Sequence, residues 1–336
     1  AARHLDVPPV AFTGFFEEGP AYDEREHARR AAAEAGVRLV EVPIRAADLL
    51  AHLRELAVAL EGPIAGPGSL PQLVVAGRAR EEVTVLVTGQ GGDEIFGGYA
   101  RTRIAWLAGA GKLDPAKLPA GLEGYRPLVA RLSSGGGSDL ADRYFRLVHR
   151  GGGLEDLLGD ATRERFDAYD ARSAFGDAFR REDGDDFHRM SSWERRALLP
   201  ALLHVEDRVT MARSLESRVP LLDPALVSLA ARIPSRIAFG EAESKRILRI
   251  AARGLAPASA IDRRDKMGFP VPLGEWAAGP LAADLRERLE DGPLVSAGIL
   301  APGAPERLLA GAGGHGRHLW FFLLLSEWMD ATGARP

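Results

Sequence analysis

The chain has 336 residues, 46% of them hydrophobic and 27% charged, with a formal net charge of −4 at pH 7 and a pI near 6.1. That length exceeds what one hydrophobic core usually supports and predicts two lobes, while the acidic balance argues against nucleic acid, whose phosphate backbone recruits cationic proteins. The absence of cysteine excludes disulfides, thiolate zinc sites and a cysteine nucleophile, and leaves a reducing cytoplasm as the expected compartment.

The chain opens on Ala1-Ala2-Arg3, with neither a start methionine nor the apolar region of a signal peptide, so a longer parent chain is expected. Residues 7–16 read as an apolar strand entered through two prolines and left at Gly14, followed by a charged helix over 24–35. Residues 37–44 read as a second strand, and 45–60 as a helix with a broad apolar stripe. Residues 61–71, EGPIAGPGSLP, read as an irregular loop and 73–82 as another helix. Val83, Val85, Leu86 and Val87 then form the β-branched run expected of a central strand buried on both faces. This alternation predicts an α/β fold: a parallel sheet flanked by helices, with ligands outside the carboxyl ends of its strands. Gly14 and Gly89 both fall on that rim.

From about Ile104 the strand signals fade. Glycine clusters at 133–138 and 151–153 and an acidic turn at 182–186 separate helical stretches, so a mostly helical lobe follows. The expected divisions are 1–103, a nucleotide-binding part; 104–190, a helical lobe; and 191–336, a helical part that completes the site. The densest apolar run, residues 319–325, is far shorter than the ~20 residues of a membrane span. It belongs to a last helix whose Trp320, Phe321, Leu324, Leu325 and Trp328 are expected in the core.

The chemistry concentrates at 88–99, TGQGGDEIFGGY. A strand, a turn containing Gly89, Gly91 and Gly92, and a helix start capped by Asp93 turn unpaired N–H groups toward one point, which makes an anion site. Asp93 and Glu94 beside such a site suggest Mg²⁺, which binds one or two carboxylates together with phosphate oxygens. The plain alternative is a tight strand-to-helix connection with an N-cap aspartate. Residues 191–215 read as one long helix in which Asp207 and Arg208 sit among apolar residues, as a structural ion pair near the core or as part of a site. Asp223-Pro224 is explained as an N-cap followed by proline at the first helical position, whereas Glu216 and Arg218 have no such structural reason. Lys245, Arg249 and Arg253 recur at i, i+4 and i+8 on a helix over 244–253, whose Ile247, Leu248 and Ala251, with Leu255, turn inward. Like charges at that spacing repel by roughly 0.2–0.5 kcal/mol per pair, so either solvent and Glu241 or a phosphate offsets them. Residues 263–270 form a cationic loop around Lys266. Of the eight histidines only His315 and His318 have ligand-like spacing, in a glycine-rich turn.

TGQGGDEIFGGY resembles the S-G-E-G-x-D-E-x-F-G-G-Y signature of the asparagine synthetase family. DRVTMARSLESRVPLLD and RRDKMGF resemble its other two signatures, in the same order. The resemblance implies an adenine nucleotide α-hydrolase-like fold of the ATP pyrophosphatase type. It implies ATP and Mg²⁺ as cofactors, and a reaction in which the side-chain carboxylate of aspartate is adenylated and then attacked by ammonia. It also implies contacts to the nucleotide from Thr13, Thr88, Gly89, Gly91 and Lys245, a metal ligand in Asp93, and catalytic roles for Lys266, Arg208 and the residue at Gln90. The family's S-G-G-x-D-S pyrophosphate loop and its glutaminase domain, which supplies ammonia from glutamine, are expected before Ala1. Residues 1–336 alone are therefore expected to turn over little.

Two departures stand out. Gln90 occupies a position that is Glu in asparagine synthetases and Tyr in β-lactam-forming relatives, and a neutral amide cannot act as a general base. EGPIAGPG differs from the acidic D-E-P-x-x-D pattern. A natural-product amide ligase of the β-lactam synthetase or lasso-peptide cyclase type, or a non-catalytic scaffold, are the alternative readings; the oligomeric state is left open, a homodimer included.

Overall fold

The computed structural model describes residues 5–133, 139–240, 243–263, 268–312 and 316–335. Its first strand β1 (Val10–Phe15), helix α1 (Arg25–Ala35) and strand β2 (Arg38–Pro43) form a right-sized crossover, with β1 and β2 paired in parallel from Val10↔Arg38 to Phe15↔Pro43. Helices α2 (Ala46–Ala59) and α3 (Ser69–Arg80) lead to strand β3 (Val85–Val87), helix α4 (Gly92–Phe96) and helix α5 (Ala100–Gly109). The loop expected over 61–71 is shorter than its composition suggested, since α3 already begins at Ser69 and buries Leu70 and Pro71.

The expected central strand is corrected in two ways. β3 has only three residues, and Val85 and Val87 are 43% and 66% exposed. Its described partner is a strand that composition hid, β4 (Glu216–Arg218), paired in parallel from Val85↔Glu216 to Val87↔Arg218. Glu216 and Arg218, which lacked a structural reason in the sequence, therefore have one: they are strand residues that also form an ion pair 2.7 Å apart. Phe12 of β1 and Leu86 of β3 pack with Ala76, Ala79 and Leu215 in one cluster, so α3 lies against both two-stranded sheets. Among the described residues the other edges of β1 and β3 carry no strand.

The rest of the described chain is helical apart from one isolated antiparallel bridge between Leu158 and Leu300. A principal core joins Leu49, Leu53 and Leu56 of α2 to Trp276, Leu285 and Leu289, and to Trp320, Leu323 and Leu324 of the last helix, Arg317–Thr332. Phe321 on that helix is 37% exposed and faces away from this core. A second cluster gathers Ile104, Leu107, Val129, Leu140, Tyr144, Leu147, Phe179 and Met190, with Phe175 and Trp193 packed at its edge, their rings tilted by 60°. The long helix expected over 191–215 is interrupted: helix Asp186–Trp193 passes through a π-helical turn at Glu194–Leu198 into helix Leu199–Met211. Pro200 lies at the start of that last segment and lacks the N–H that a regular α-helical ladder would use. No helix among the described residues is long and apolar enough to cross a membrane.

Leu53 is fully buried between α2 and the last helix. Leu53→Ala is expected to lower unfolding stability by about 2–5 kcal/mol, from lost transfer energy plus the cavity left behind. The urea midpoint checks this, and an unchanged midpoint would show that the two helices are not packed as described.

Candidate active site

The site is built on the turn between β3 and α4, and its shape depends on glycine. Gly91 caps α4 at φ +86°, and a Cβ there would fall 2.2 Å from Leu222. Only glycine meets both demands. Asp93 is thus not the N-cap, as its position suggested; it lies in the first turn, where a carboxylate is favoured by the helix dipole. Lys245 Nζ stands 3.0 Å from Asp93 Oδ1, with both side chains 26% exposed. Gly98 makes that approach feasible, because a Cβ on it would lie 1.6 Å from Asp93 Oδ1 and 2.3 Å from Lys245 Cε.

Lys245 is not the first of a stacked basic stripe. It precedes the helix Arg246–Ala252 as its N-cap at φ +54°, a left-handed conformation that costs a non-glycine residue about 1–3 kcal/mol. Arg249 is turned to the carbonyls of Ser244 and Ile261, Arg253 ends the helix, and Leu255 is 72% exposed rather than inward. Ile247 and Leu248 do pack inward, on Ile95 and Phe96 of α4, so the helix that carries Lys245 and the helix that carries Asp93 share one apolar contact.

The end of β3 is clamped by a residue the sequence reading passed over. Glu206, on helix Leu199–Met211, is buried and accepts hydrogen bonds from Thr88 Oγ1 and Ser217 Oγ, while Thr88 N donates to Arg218 O at 2.9 Å. The available signal was its register: Leu202 four residues before and Val209 three after place Glu206 on the inward stripe, one residue from the charges singled out. Those charges are both exposed. Arg208 forms an ion pair with Glu61 at 2.8 Å, and the expectation that Asp207 and Arg208 approach the core is corrected.

Of the expected site residues, Thr88, Gly89, Gln90, Gly91, Asp93 and Lys245 are thus gathered at one turn. Around Gly89 a Cβ would meet nothing within 4 Å, and Gln90 is half-buried. Thr13 lies on β1, in the other sheet. Arg208 is held on Glu61, and Lys266 and His315 lie outside the described residues. His318 Nε2 lies 2.9 Å from the carbonyl of Arg150, a structural hydrogen bond. Asp223 caps the helix Pro224–Ala230, accepting from the N–H groups of Ala225 and Leu226, as its sequence context indicates.

Below the turn lies a buried polar network. Glu94 accepts a hydrogen bond from Tyr99 Oη, and burial followed by that carboxylate raises the phenol's pKa well above its usual value. The Arg101 guanidinium stacks 3.6 Å above the Tyr99 ring and donates to Glu194 Oε1 at 3.0 Å. Glu194 sits in the π-helical turn, fully buried. Its Oε1 also accepts from Thr102 and Tyr144, and its Oε2 has no partner. Burial pushes the Glu194 carboxyl up to about 7 against the pull of Arg101.

Among the described residues no group of three or more His, Asp and Glu could hold a metal ion. Asp93 offers one carboxylate, which suits a Mg²⁺ held chiefly by phosphate oxygens and water.

A parallel strand that ends in a glycine turn, with a carboxylate and an ammonium facing each other across it, defines an α/β scaffold of the ligand-at-the-strand-end class. The chain belongs to the asparagine synthase family, whose model matches residues 1–330. A Mycobacterium tuberculosis protein, provisionally named a glutamine-hydrolyzing asparagine synthetase, is 30% identical over 358 aligned residues, covering 98% of this chain and 51% of that protein. The Mycobacterium bovis counterpart matches to the same extent. Asparagine synthetase [glutamine-hydrolyzing] 1 of Bacillus subtilis is 27% identical, covering 83% of this chain and 44% of its own length. The chain spans about half the length of these relatives.

Because Glu194 is raised from 4.5 to about 7 on folding, the folded state holds its proton where the unfolded state has lost it. Its contribution to stability is complete below about pH 4.5 and lost as pH rises to about 7. Glu194→Gln is expected to flatten the pH dependence of the denaturation midpoint across that window. The same slope in the variant and the parent would contradict the assignment.

Proposed function

We propose that this chain is the synthetase part of an ATP-dependent amide ligase of the asparagine synthetase kind, acting in the cytoplasm. The observation that carries the reading is the Asp93–Lys245 pair, 3.0 Å apart at the carboxyl end of β3. In the proposed reaction a substrate carboxylate, aspartate's in the family reference, attacks the α-phosphorus of ATP. The bond to the pyrophosphate breaks, and the acyl-adenylate is then attacked by ammonia to release AMP and the amide.

Negative charge grows on the leaving pyrophosphate, and Lys245 is a cation fixed beside the turn. Its value lies in being held in place before the charge develops. The amides of Gly89 and Gly91 lie where the chain leaves β3, without side chains to block a close approach. Thr88, anchored to Glu206, holds that exit in register. Mg²⁺, when bound, would neutralise phosphate charge beside Asp93. Gln90 can position an amine by hydrogen bonding but cannot remove its proton. The resemblance adds Lys266 for the charge on the adenylated carboxyl group. Ammonia would come from glutamine through a glutaminase domain of the parent protein, which the length of the relatives allows for.

The two sheets favour the same reading. β1 and β3 are both packed on α3, both run parallel to a neighbour, and each leaves one edge without a strand among the described residues. A parallel strand of the parent chain laid between them would complete a single sheet and would cover Val85 and Val87.

Aspartate-dependent exchange of pyrophosphate into ATP, measured on the longest form of the protein, tests the reading. Lys245→Met is expected to slow exchange by about 100-fold or more, the scale for deleting one fixed group at a developing charge. Exchange at the parent rate in Lys245→Met would overturn the assigned role, and no exchange with any carboxylic acid would overturn the ligase.

A further inference from the structure

A cleft of about 1290 Å³ opens between the helices Arg126–Ser133 and Leu140–Val148 and the start of the helix Arg317–Thr332. It is separate from the Asp93 turn but adjoins it through Tyr125. That residue lines both this cleft and a small cavity beside Gly98 and Tyr99, and burial and the charge of Asp93 raise its pKa.

The charge of the cleft is one-sided. Arg131, Arg146, Arg150, Arg172, Arg307 and Arg317 reach it, against the single carboxylate of Asp156. Several of these cations are already committed. Asp142 pairs with both Arg146 and Arg172, Arg307 donates to the carbonyl of Asp156, and Arg150 donates to the carbonyls of Leu147 and His149. Arg317 is different, with neither a hydrogen bond nor an ion pair among the described residues. Both Arg150 and Arg317 reach solvent, yet the surrounding chain and the neighbouring guanidiniums lower their pKa values, that of Arg150 to about 10. A bound anion would relieve the repulsion that Arg317 exerts on Arg150.

The loop before α3 explains why Arg317 has no partner among the described residues. Gly66 lies beneath it, and a Cβ on Gly66 would stand 3.5 Å from Arg317 Nη1, an ordinary contact. A carboxylate at position 66 would reach Arg317. Here the residue is glycine, and the loop's one carboxylate, Glu61, is taken by Arg208. The cation is therefore left facing the cleft. Leu128, Phe145, Leu308 and Leu319 add apolar wall, and Gly316 leaves the first turn of the long helix without a side-chain cap, its dipole favouring negative charge.

We propose that Arg317 binds a second carboxylate of the acyl substrate, and that the substrate also carries an apolar group that makes it larger than free aspartate. The assignment rests on the ligase reading for its reacting carboxylate at the Asp93 turn and deepens it by naming the substrate class. Arginine suits the role because its planar fork pairs with a carboxylate bidentately. The volume exceeds what an amino acid fills, and Leu128, Phe145, Leu308 and Leu319 give an apolar body a wall to lie against.

The test uses N-benzoylaspartate as the probe, with aspartate and inorganic phosphate as comparisons, and titration calorimetry on the longest form of the protein. N-benzoylaspartate is expected to bind more tightly than either. Arg317→Gln is expected to weaken it about tenfold or more, the scale of one charge-assisted pair. Gly66→Asp, which keeps the arginine but supplies it with a carboxylate, is expected to weaken it similarly, and it carries the test if Arg317→Gln does not fold. Undiminished binding in both variants would overturn the proposal. So would phosphate or aspartate binding as tightly as the probe. ATP binding measured on the same samples separates the two claims. If ATP binds and the probe ignores both variants, the cleft assignment fails alone. If ATP does not bind but the probe depends on Arg317, the anion site stands and the ligase reading fails.

Discussion

The pairing of Asp93 with Lys245 is the constraint on which the rest of the site depends. It requires a carboxylate in the first turn of α4, a lysine held in a left-handed conformation, and a glycine at position 98 that lets them meet. The helix dipole favours the carboxylate, but the lysine's backbone is strained and the glycine costs chain entropy. An exposed ion pair contributes about 0–1 kcal/mol and cannot offset a strained backbone. The strain is maintained because Ile247 and Leu248, just beyond Lys245, are packed on Ile95 and Phe96, just beyond Asp93. Apolar packing thus sets the position of the two charges.

Beneath this pair the structure uses buried carboxylates as anchors. Glu206 ties the end of β3 to β4, Glu94 receives Tyr99, and Glu194 gathers Tyr144, Thr102 and Arg101. Leaving a buried polar group unpaired costs more than a made hydrogen bond contributes. These networks therefore fix geometry more than they add stability. Arg101 reaches from Glu194 to the face of Tyr99, so the protonation of a carboxyl with a pKa of about 7 is felt one residue layer below the turn.

Much of this was legible in the sequence, for identifiable reasons. The first five elements announce themselves because strand and helix periods alternate, and the glycine turn is local chemistry over a dozen residues. Asp223 was readable for the same cause, a cap and a proline side by side. What stayed hidden depends on contacts distant in the chain. β4 is a three-residue strand of polar composition that exists because β3 lies beside it. Val85 and Val87 read as doubly buried because a β-branched run reports the preference for a strand and not the number of its neighbours. Lys245 looked like the start of a helical stripe, yet its backbone turns one residue before the helix begins. Arg208 looked like a core charge because its apolar neighbours in sequence lie on the opposite face, while the adjacent Glu206 is the one that is buried.

In the proposed reaction Asp93 faces a phosphate-bound Mg²⁺ and Lys245 faces the phosphate itself. The affinity of the protein for ATP, measured with and without Mg²⁺ in the parent and in Asp93→Asn, addresses it most directly. The account predicts that Mg²⁺ strengthens ATP binding in the parent and adds little in Asp93→Asn, while metal-free binding survives through Lys245. Equal strengthening by Mg²⁺ in both proteins would contradict it, and would return Asp93 to the status of a first-turn carboxylate that merely holds a lysine in place.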